Sequence, residues 1–175
     1  MGRQEQIINE RYRKLNELKK LGINPYPNKF EFRDYSLEIK KKYSKLKNNE
    51  RTKDNVKIAG RIMTARDLGK LIFATIQDNT EKLQLVLQKE ETIKSSFELF
   101  KKYTDLGDII GAEGIVMKTK TGEISVLVKK LEILSKSLLP MPEKWHGIQD
   151  KEERYRKRYL DLIMNPGVKE IFEKR

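Results

Sequence analysis

The chain has no cysteine among its 175 residues and a single histidine, His146. Without cysteine there are no disulfides and no thiolate metal sites, which fits a reducing compartment. One histidine leaves a His-based metal centre or Cys–His catalysis little to be built from, so His146 reads as a linker residue and Trp145 beside it as the linker's anchor. No apolar run approaches the length of a membrane span. Glu5 and Glu10 stand where a secretory signal needs an apolar core and a transit peptide avoids acids. Gln6 holds the position where N-myristoylation asks for Ser or Thr. The chain therefore reads as soluble, untargeted and cytoplasmic. A phosphate loop of the form G-x-x-x-x-G-K-[ST] is missing too: Gly69-Lys70 is followed by Leu71 and has no glycine at the required spacing, so an ATP site is not visible.

What is present is positive charge, 38 Lys and Arg against 26 Asp and Glu, for a net +12. The excess is uneven: residues 1–53 hold 15 basic and 7 acidic side chains (+8), leaving 23 and 19 (+4) for the rest. A polyanionic partner is the first inference, with a merely solvated basic surface as its alternative. The length allows one or two small domains with a modest core and excludes a large enzyme.

The period of the apolar residues divides the chain. Ile8, Tyr12, Leu15, Leu18 and Leu21 recur at the spacing of one helix face, among Arg11, Arg13, Lys14, Lys19 and Lys20. Gly22 ends that helix, and Asn24-Pro25-Tyr26-Pro27 imposes an extended or turning segment. A second helix is expected from Ser36 as N-cap, with Leu37, Tyr43 and Leu46 on one face and Lys40, Lys41, Lys42, Lys45 and Lys47 in solvent. Residues 48–55 read as a polar linker. From Val56 the period becomes two, with strands expected at about 56–64, 71–77, 83–88, 109–118 and 124–134. One helix interrupts them, roughly 91–103, offering Ile93, Phe97 and Phe100 to the core. Three strands, a helix and two strands is the order of an OB-fold, a five-stranded Greek-key barrel. Gly60, Gly111 and Gly114 suit the bends that such a barrel needs. The fold class is thus mainly β with a helical N-terminal extension: residues 1–53 the basic extension, 54–136 the barrel, 137–175 a linker and the beginning of a further domain. A charged helix is expected at 149–162, where Tyr155 and Tyr159 read as packing residues, and another helix begins at the end of the chain.

Within the barrel, alternation sends Ile72, Ala74 and Ile76 inward and Phe73 and Thr75 outward. Leu83, Leu85 and Leu87 face inward, and Gln84 shares the outer face. A five-residue turn, 78–82, joins the two runs as a hairpin. OB-folds bind oligonucleotides on the face of strands 2 and 3, between the loop joining strands 1 and 2 and the loop joining strands 4 and 5. Here those loops carry Arg66, Gly69 and Lys70, and Lys118, Lys120 and Glu123. Phe73 would stack a base, Gln84 and Glu123 would address a base edge, and Lys70, Lys118 and Lys120 would follow the phosphates, helped by Arg11, Lys14 and Lys19 of the first helix. Gln offers a donor and an acceptor side by side, which suits a carbonyl and the N3–H of uracil; Glu only accepts.

The stretches GRIMTARDLGKLIFATIQD, KTKTGEIS, GINPYP and HGIQDKEERYRKRYLDLI together resemble the N-terminal part of class II lysyl-tRNA synthetases, over nearly the whole chain and in the family's order. The aspartate and asparagine relatives share the barrel and the RYLDL segment, but GINPYP and KTKTGE point to lysine. The resemblance implies a barrel that binds the uridine-rich anticodon of lysine tRNA. Phe73 matches the family's stacking aromatic, Gln84 the reader of the central uridine, Arg66 an anticodon-loop contact and Glu123 a glutamate near the wobble base. Ala65 departs from the basic residue that many members carry, and Asn79-Thr80-Glu81 lacks the hairpin glycine of many relatives. The resemblance also implies a homodimeric parent ligase using ATP and Mg²⁺ in a catalytic domain whose second and third signature motifs would lie beyond Arg175. No cofactor or metal is then expected in this chain, and it should not catalyse alone. A free-standing binder of single-stranded nucleic acid and an OB-fold used for protein assembly stay open as alternatives.

Overall fold

A computed structural model describes residues 2–141 and 150–174. They fall into two compact units, residues 1–139 and 140–175. The first holds α1 (Arg3–Lys20), α2 (Ser36–Lys42), β1 (Arg51–Asp67), β2 (Leu71–Gln77), β3 (Lys82–Gln88), α3 (Lys94–Tyr103), β4 (Ile109–Lys118) and β5 (Ile124–Ser135). The second holds α4 (Lys151–Arg156), α5 (Arg158–Met164) and α6 (Pro166–Glu173).

The five strands close into a barrel in the order β1-β2-β3-β5-β4, with β1 pairing β2 on one side and β4 on the other. All pairs are antiparallel except β3 with β5. This is the OB-fold expected from the element order. Strand β1 is longer than its apolar alternation suggested, because its first half lies along β4 and its second along β2, with a bulge at Ile62/Thr64 between two directions. Its first residues are polar and exposed, so hydrophobic periodicity could not reveal them. The inward positions form one continuous core that includes Ile58, Ile72, Ile76, Leu83, Leu85, Leu87, Ile110 and Val126. Each such side chain removed from water contributes about 1.5–3 kcal/mol before conformational entropy is charged against it. Gly114 sits at a second bulge, where a Cβ would lie 2.1 Å from the Leu127 carbonyl oxygen; any side chain there would push β4 off β5.

Both ends of the barrel are stoppered. Helix α3 supplies Phe97 and Phe100, as expected, but Ile93 precedes the helix and is exposed. The other stopper is α2, whose Ile39 and Tyr43 join the core beside Leu83. Tyr35, not Ser36, is its N-cap; the Ser36 amide instead donates to Asp78 Oδ2 at 2.7 Å and the Leu37 amide to Thr80 Oγ1 at 3.2 Å, fastening the helix to the β2–β3 hairpin. Helix α1 buries Arg11, Leu15 and Leu18, while Tyr12 and Leu21, expected on the inner face, are exposed.

Arg11 replaces Tyr12 because the surface beneath α1 is polar. Its guanidinium donates to the carbonyls of Leu139 (2.8 Å), Ser137 (2.9 Å) and Leu106 (3.0 Å). Next to it, the fully buried Lys136 ammonium lies 2.6 Å from Asp108 and 2.5 Å from Asp105, and Lys14 reaches Asp105 at 2.7 Å. Burial pushes the Asp108 carboxyl above its ordinary value despite Lys136. At Asp105 burial acts the same way, but the Lys136 and Lys14 ammoniums outweigh it and hold the carboxyl low.

In the second unit, the helix expected over 149–162 is two helices broken at Lys157, whose backbone (φ −115°, ψ 53°) leaves the helical region. Asp161 is buried and receives Arg154 Nε at 2.9 Å, Arg158 at 2.5 Å and Asn165 at 2.6 Å. Burial works to raise its carboxyl, and the hydrogen bonds from Asn165 and Arg154 win and lower it. Tyr155 and Tyr159, expected to pack, are exposed, with the Arg158 guanidinium 5.0 Å from the Tyr155 ring centre. Trp145 and His146 lie outside the described residues.

Candidate nucleic-acid interface

Strand register lays two rows of side chains across the outer surface, because directly paired residues point to the same side of a sheet. One row runs Arg66, Phe73, Val86, Leu127, Ile115; the next runs Thr64, Thr75, Gln84, Ser125, Met117. Phe73 and Gln84 therefore face outward, while Ile72, Ala74 and Ile76 are at most 1% exposed. The outer surface is less polar than alternation implied. Val86, Leu127 and Met117 form a satellite apolar cluster against which Phe73, Leu71 and Ile115 pack, so the Phe73 ring is half-buried.

Gln84 is held as well. The Ser125 hydroxyl donates to Gln84 Oε1 at 2.8 Å, a shorter contact than the 3.2 Å to the Glu123 carbonyl. Gln84 lines a pocket of about 320 Å³ together with Lys40, Thr75, Lys82, Leu83, Thr121 and Glu123.

The flanking loops are built by local chemistry. In the β1–β2 loop, Asp67 accepts the Gly69 amide at 2.7 Å, and Lys101 of α3 reaches Asp67 at 3.1 Å and the Gly69 carbonyl at 3.2 Å. The Gly69 amide and then Lys101 hold the Asp67 carboxyl below its ordinary value. Arg66, near the end of β1, and Lys70, on this braced loop, stand exposed. In the β4–β5 loop, Gly122 takes φ +89°, which allows the turn in which Gly122 N donates to Thr119 O and Glu123 N to Thr119 Oγ1. Asn48 donates to the Lys120 carbonyl, tying this loop to the segment after α2. The hairpin lacking a glycine is managed by Asp78, whose Oδ1 accepts from the amides of Thr80 (2.7 Å) and Glu81 (2.9 Å). Among the described residues, Asn49 is the one non-glycine with positive φ.

The expected phosphate contacts divide. Lys19, Lys70 and Lys120 are exposed. Lys118 is not free, since its ammonium donates to the carbonyls of Leu46 (2.9 Å) and Ser44 (3.2 Å) and anchors the β4–β5 loop. Arg11 is 6% exposed and Lys14 is paired with Asp105, so these two hold α1 on the barrel and have no charge to offer a phosphate. Sequence reasoning missed Lys40, which looked like one more solvated lysine. Its ammonium lies 3.9 Å from Glu123 Oε1, brought there by the α2 stopper. Lys82, Thr75 and Thr121 were missed likewise, though Thr75 was visible as an outward residue. Among the described residues no group of three or more His, Cys, Asp or Glu side chains is placed to hold a metal ion. No helix among them is long and apolar enough to cross a membrane.

Comparison with known proteins bears on the fold and the resemblance. Residues 56–134 match the tRNA_anti-codon family model, described as an OB-fold nucleic acid binding domain. The chain is 44% identical over 179 residues to a lysine–tRNA ligase of Trichormus variabilis, covering 98% of this chain and 32% of that protein. It is 49% identical over 168 residues to the lysine–tRNA ligase of Carboxydothermus hydrogenoformans (95% of this chain, 33% of that one). With the enzyme of that name from Fervidobacterium nodosum it shares 46% over 165 residues (94% and 32%). The chain thus spans about a third of the length of the curated relatives it matches. The resemblance carried by the four motifs is borne out.

Proposed function

We propose that this chain, whose barrel belongs to the OB-fold nucleic-acid-binding family, is the anticodon-reading part of a lysine–tRNA ligase and recognises a uridine-rich anticodon. The observation that carries the reading is the outward row: a half-buried aromatic, Phe73, beside a tethered amide, Gln84, on β2 and β3, with Arg66 and Lys70 on one flank and Lys120 and Glu123 on the other. A half-buried aromatic stacks a base, the amide and carboxylate address base edges, and the exposed cations neutralise phosphates. The longer protein attaches lysine to its tRNA with ATP and Mg²⁺ held elsewhere, works as a homodimer in the cytoplasm, and leaves this chain without aminoacylation activity of its own.

Binding of the purified chain to a uridine-rich and an adenine-rich anticodon stem-loop, across a salt series, tests this reading. It requires tighter binding of the uridine-rich loop and a steep loss with salt. Equal binding of both loops would make the chain a general single-strand binder, and no salt-sensitive binding would leave the OB-fold a protein-assembly module.

A further inference from the structure

A pocket of about 250 Å³ lies where the segment before α2 meets β1, the end of β2 and the start of β4, and it shares no lining residue with the one at Gln84. Its frame is pinned. The amides of Arg33 (2.9 Å) and Asp34 (3.2 Å) donate to the Lys57 carbonyl, and the Lys57 amide donates to Asp34 Oδ2 at 2.8 Å. Phe32 forms one wall, 46% exposed and edge-on to Tyr35 at 5.4 Å, and Ala59 and Ile109 add apolar surface. Arg61 and Gln77 are direct partners across β1 and β2, so their side chains stand next to each other on one side of the sheet. Their characters are opposite. Gln77 Oε1 is buried and has no hydrogen-bond partner among the described residues, a cost that a bound donor removes. Arg61 gives one N–H to the Gly107 carbonyl at 2.8 Å and has further donors to offer.

We infer that this pocket is a subsite for a nucleobase carrying an amino group beside an unprotonated ring nitrogen, the arrangement found in adenine and cytosine. The amino group donates to Gln77 Oε1, the ring nitrogen accepts from Arg61, and Phe32 covers a face of the base. Hypoxanthine and uracil reverse that edge, with a carbonyl in place of the amino group and an N–H in place of the ring acceptor. They set acceptor against acceptor and donor against donor, and leave desolvated polar groups unpaired. The volume falls below the ~300–1,000 Å³ of sites for drug-sized ligands, which suits a single base. Phe73, Thr75 and Gln77 alternate to the same side of β2, so Gln77 lies about 13 Å along the strand from Phe73, at ~3.3 Å per residue. A base of an RNA strand laid on Phe73 and a free nucleoside share this chemistry, and the test separates the two sources. The subsite uses neither Gln84 nor Glu123, so it stands apart from the anticodon reading proposed above.

The whole chain is titrated with adenosine, inosine, cytidine and uridine while its backbone amide NMR shifts are followed. Adenosine and cytidine should move the amides of Ala59 and Gln77, and inosine and uridine should each bind about tenfold more weakly than the amino counterpart. Phe32→Ala, at an exposed side chain, should weaken adenosine by about five- to a hundredfold. Gln77→Met, which keeps the length but removes the acceptor, should bring adenosine down to the inosine level. Thermal melts check that both variants fold. A second arm measures stem-loops carrying adenosine or inosine at each loop position flanking the uridines in turn. A wild-type preference for adenosine that Phe32→Ala abolishes supports the inference and assigns the base to RNA. Shifts from free adenosine without such a preference support it as a site for a free nucleoside. Equal binding of adenosine and inosine in both arms would overturn it, as would unmoved Ala59 and Gln77 amides together with no adenosine preference in RNA; neither result touches the uridine preference expected from Gln84.

Discussion

Two cation-rich helices flank the barrel and use their charge in opposite ways. Helix α1 turns Arg11 and Lys14 inward, onto the Leu106, Ser137 and Leu139 carbonyls and onto Asp105, beside the buried Lys136–Asp108 pair. Helix α2 turns Ile39 and Tyr43 inward and leaves its lysines at the surface, Lys40 among them at the pocket. The two sequences look alike, since both mix cations with sparse apolar residues. What differs is the surface beneath: a polar floor of carbonyls and carboxylates under α1, an apolar barrel mouth under α2. Positive charge in a sequence therefore counts cations without saying which are available to an anion, and burial decides.

That contrast can be broken first at Lys136. Lys136→Met leaves Asp108 buried without its cation and should cost about 3–5 kcal/mol of stability, measured by urea unfolding, with Asp108→Asn in the same chain restoring much of the loss. Since burial already raises the Asp108 carboxyl, removing the ammonium raises it further. Asp108 then binds its proton more tightly in the folded variant than in folded wild type, so the deficit should be small at low pH, where both chains carry a protonated Asp108, and open as pH rises through the already raised value of the wild-type carboxyl. A deficit independent of pH would show that Asp108 is not the group left unpaired.

A smaller effect is expected at Arg11. Arg11→Ala removes charge-assisted hydrogen bonds to three carbonyls and should destabilise by about 2–3 kcal/mol without altering the salt dependence of RNA binding. A flatter salt slope would return Arg11 to the phosphate track. The converse pair, Lys70→Ala with Lys120→Ala, should leave stability within about 0.5 kcal/mol of wild type. It should lower the slope of log K against log salt by about 1.4 if both contact phosphates of a single strand. An unchanged slope would move the phosphate path off both loops.

Much of this was legible in the sequence, for a physical reason. Strands with one buried face must alternate, so the inward side of β2 and β3, the outward Phe73 and Gln84, and the strand–helix–strand order could all be read from period two. Features set by long-range contact were not. The start of β1 is polar, the second barrel stopper hides Ile39 between Lys40 and Glu38, and Val86 and Leu127 are buried on an outer face by each other and by Met117. Arg11 was misread because helix periodicity ranks Tyr12 above it, and only the carbonyl-rich floor reverses the order. At the site, Phe73, Gln84, Arg66 and Glu123 were nominated from spacing and resemblance. Lys40 could not be, because what recommends it is its 3.9 Å approach to Glu123, 83 residues away along the chain.

The central claim, that the outward row on β2 and β3 reads a uridine, is tested most directly by binding of Phe73→Leu and Gln84→Ala to stem-loops carrying uridine or cytidine at the central anticodon position, alongside wild type. Leucine keeps the apolar contact with Val86 and Leu127 but removes the aromatic face, so folding should survive. Loss of base stacking is worth about 1–3 kcal/mol, so Phe73→Leu should weaken both loops by about five- to a hundredfold. Gln84→Ala should instead lower the preference for uridine over cytidine, with a smaller loss of overall affinity. Wild-type affinity in Phe73→Leu together with an unchanged uridine-to-cytidine ratio in Gln84→Ala would contradict the account and place the RNA on another face of the barrel.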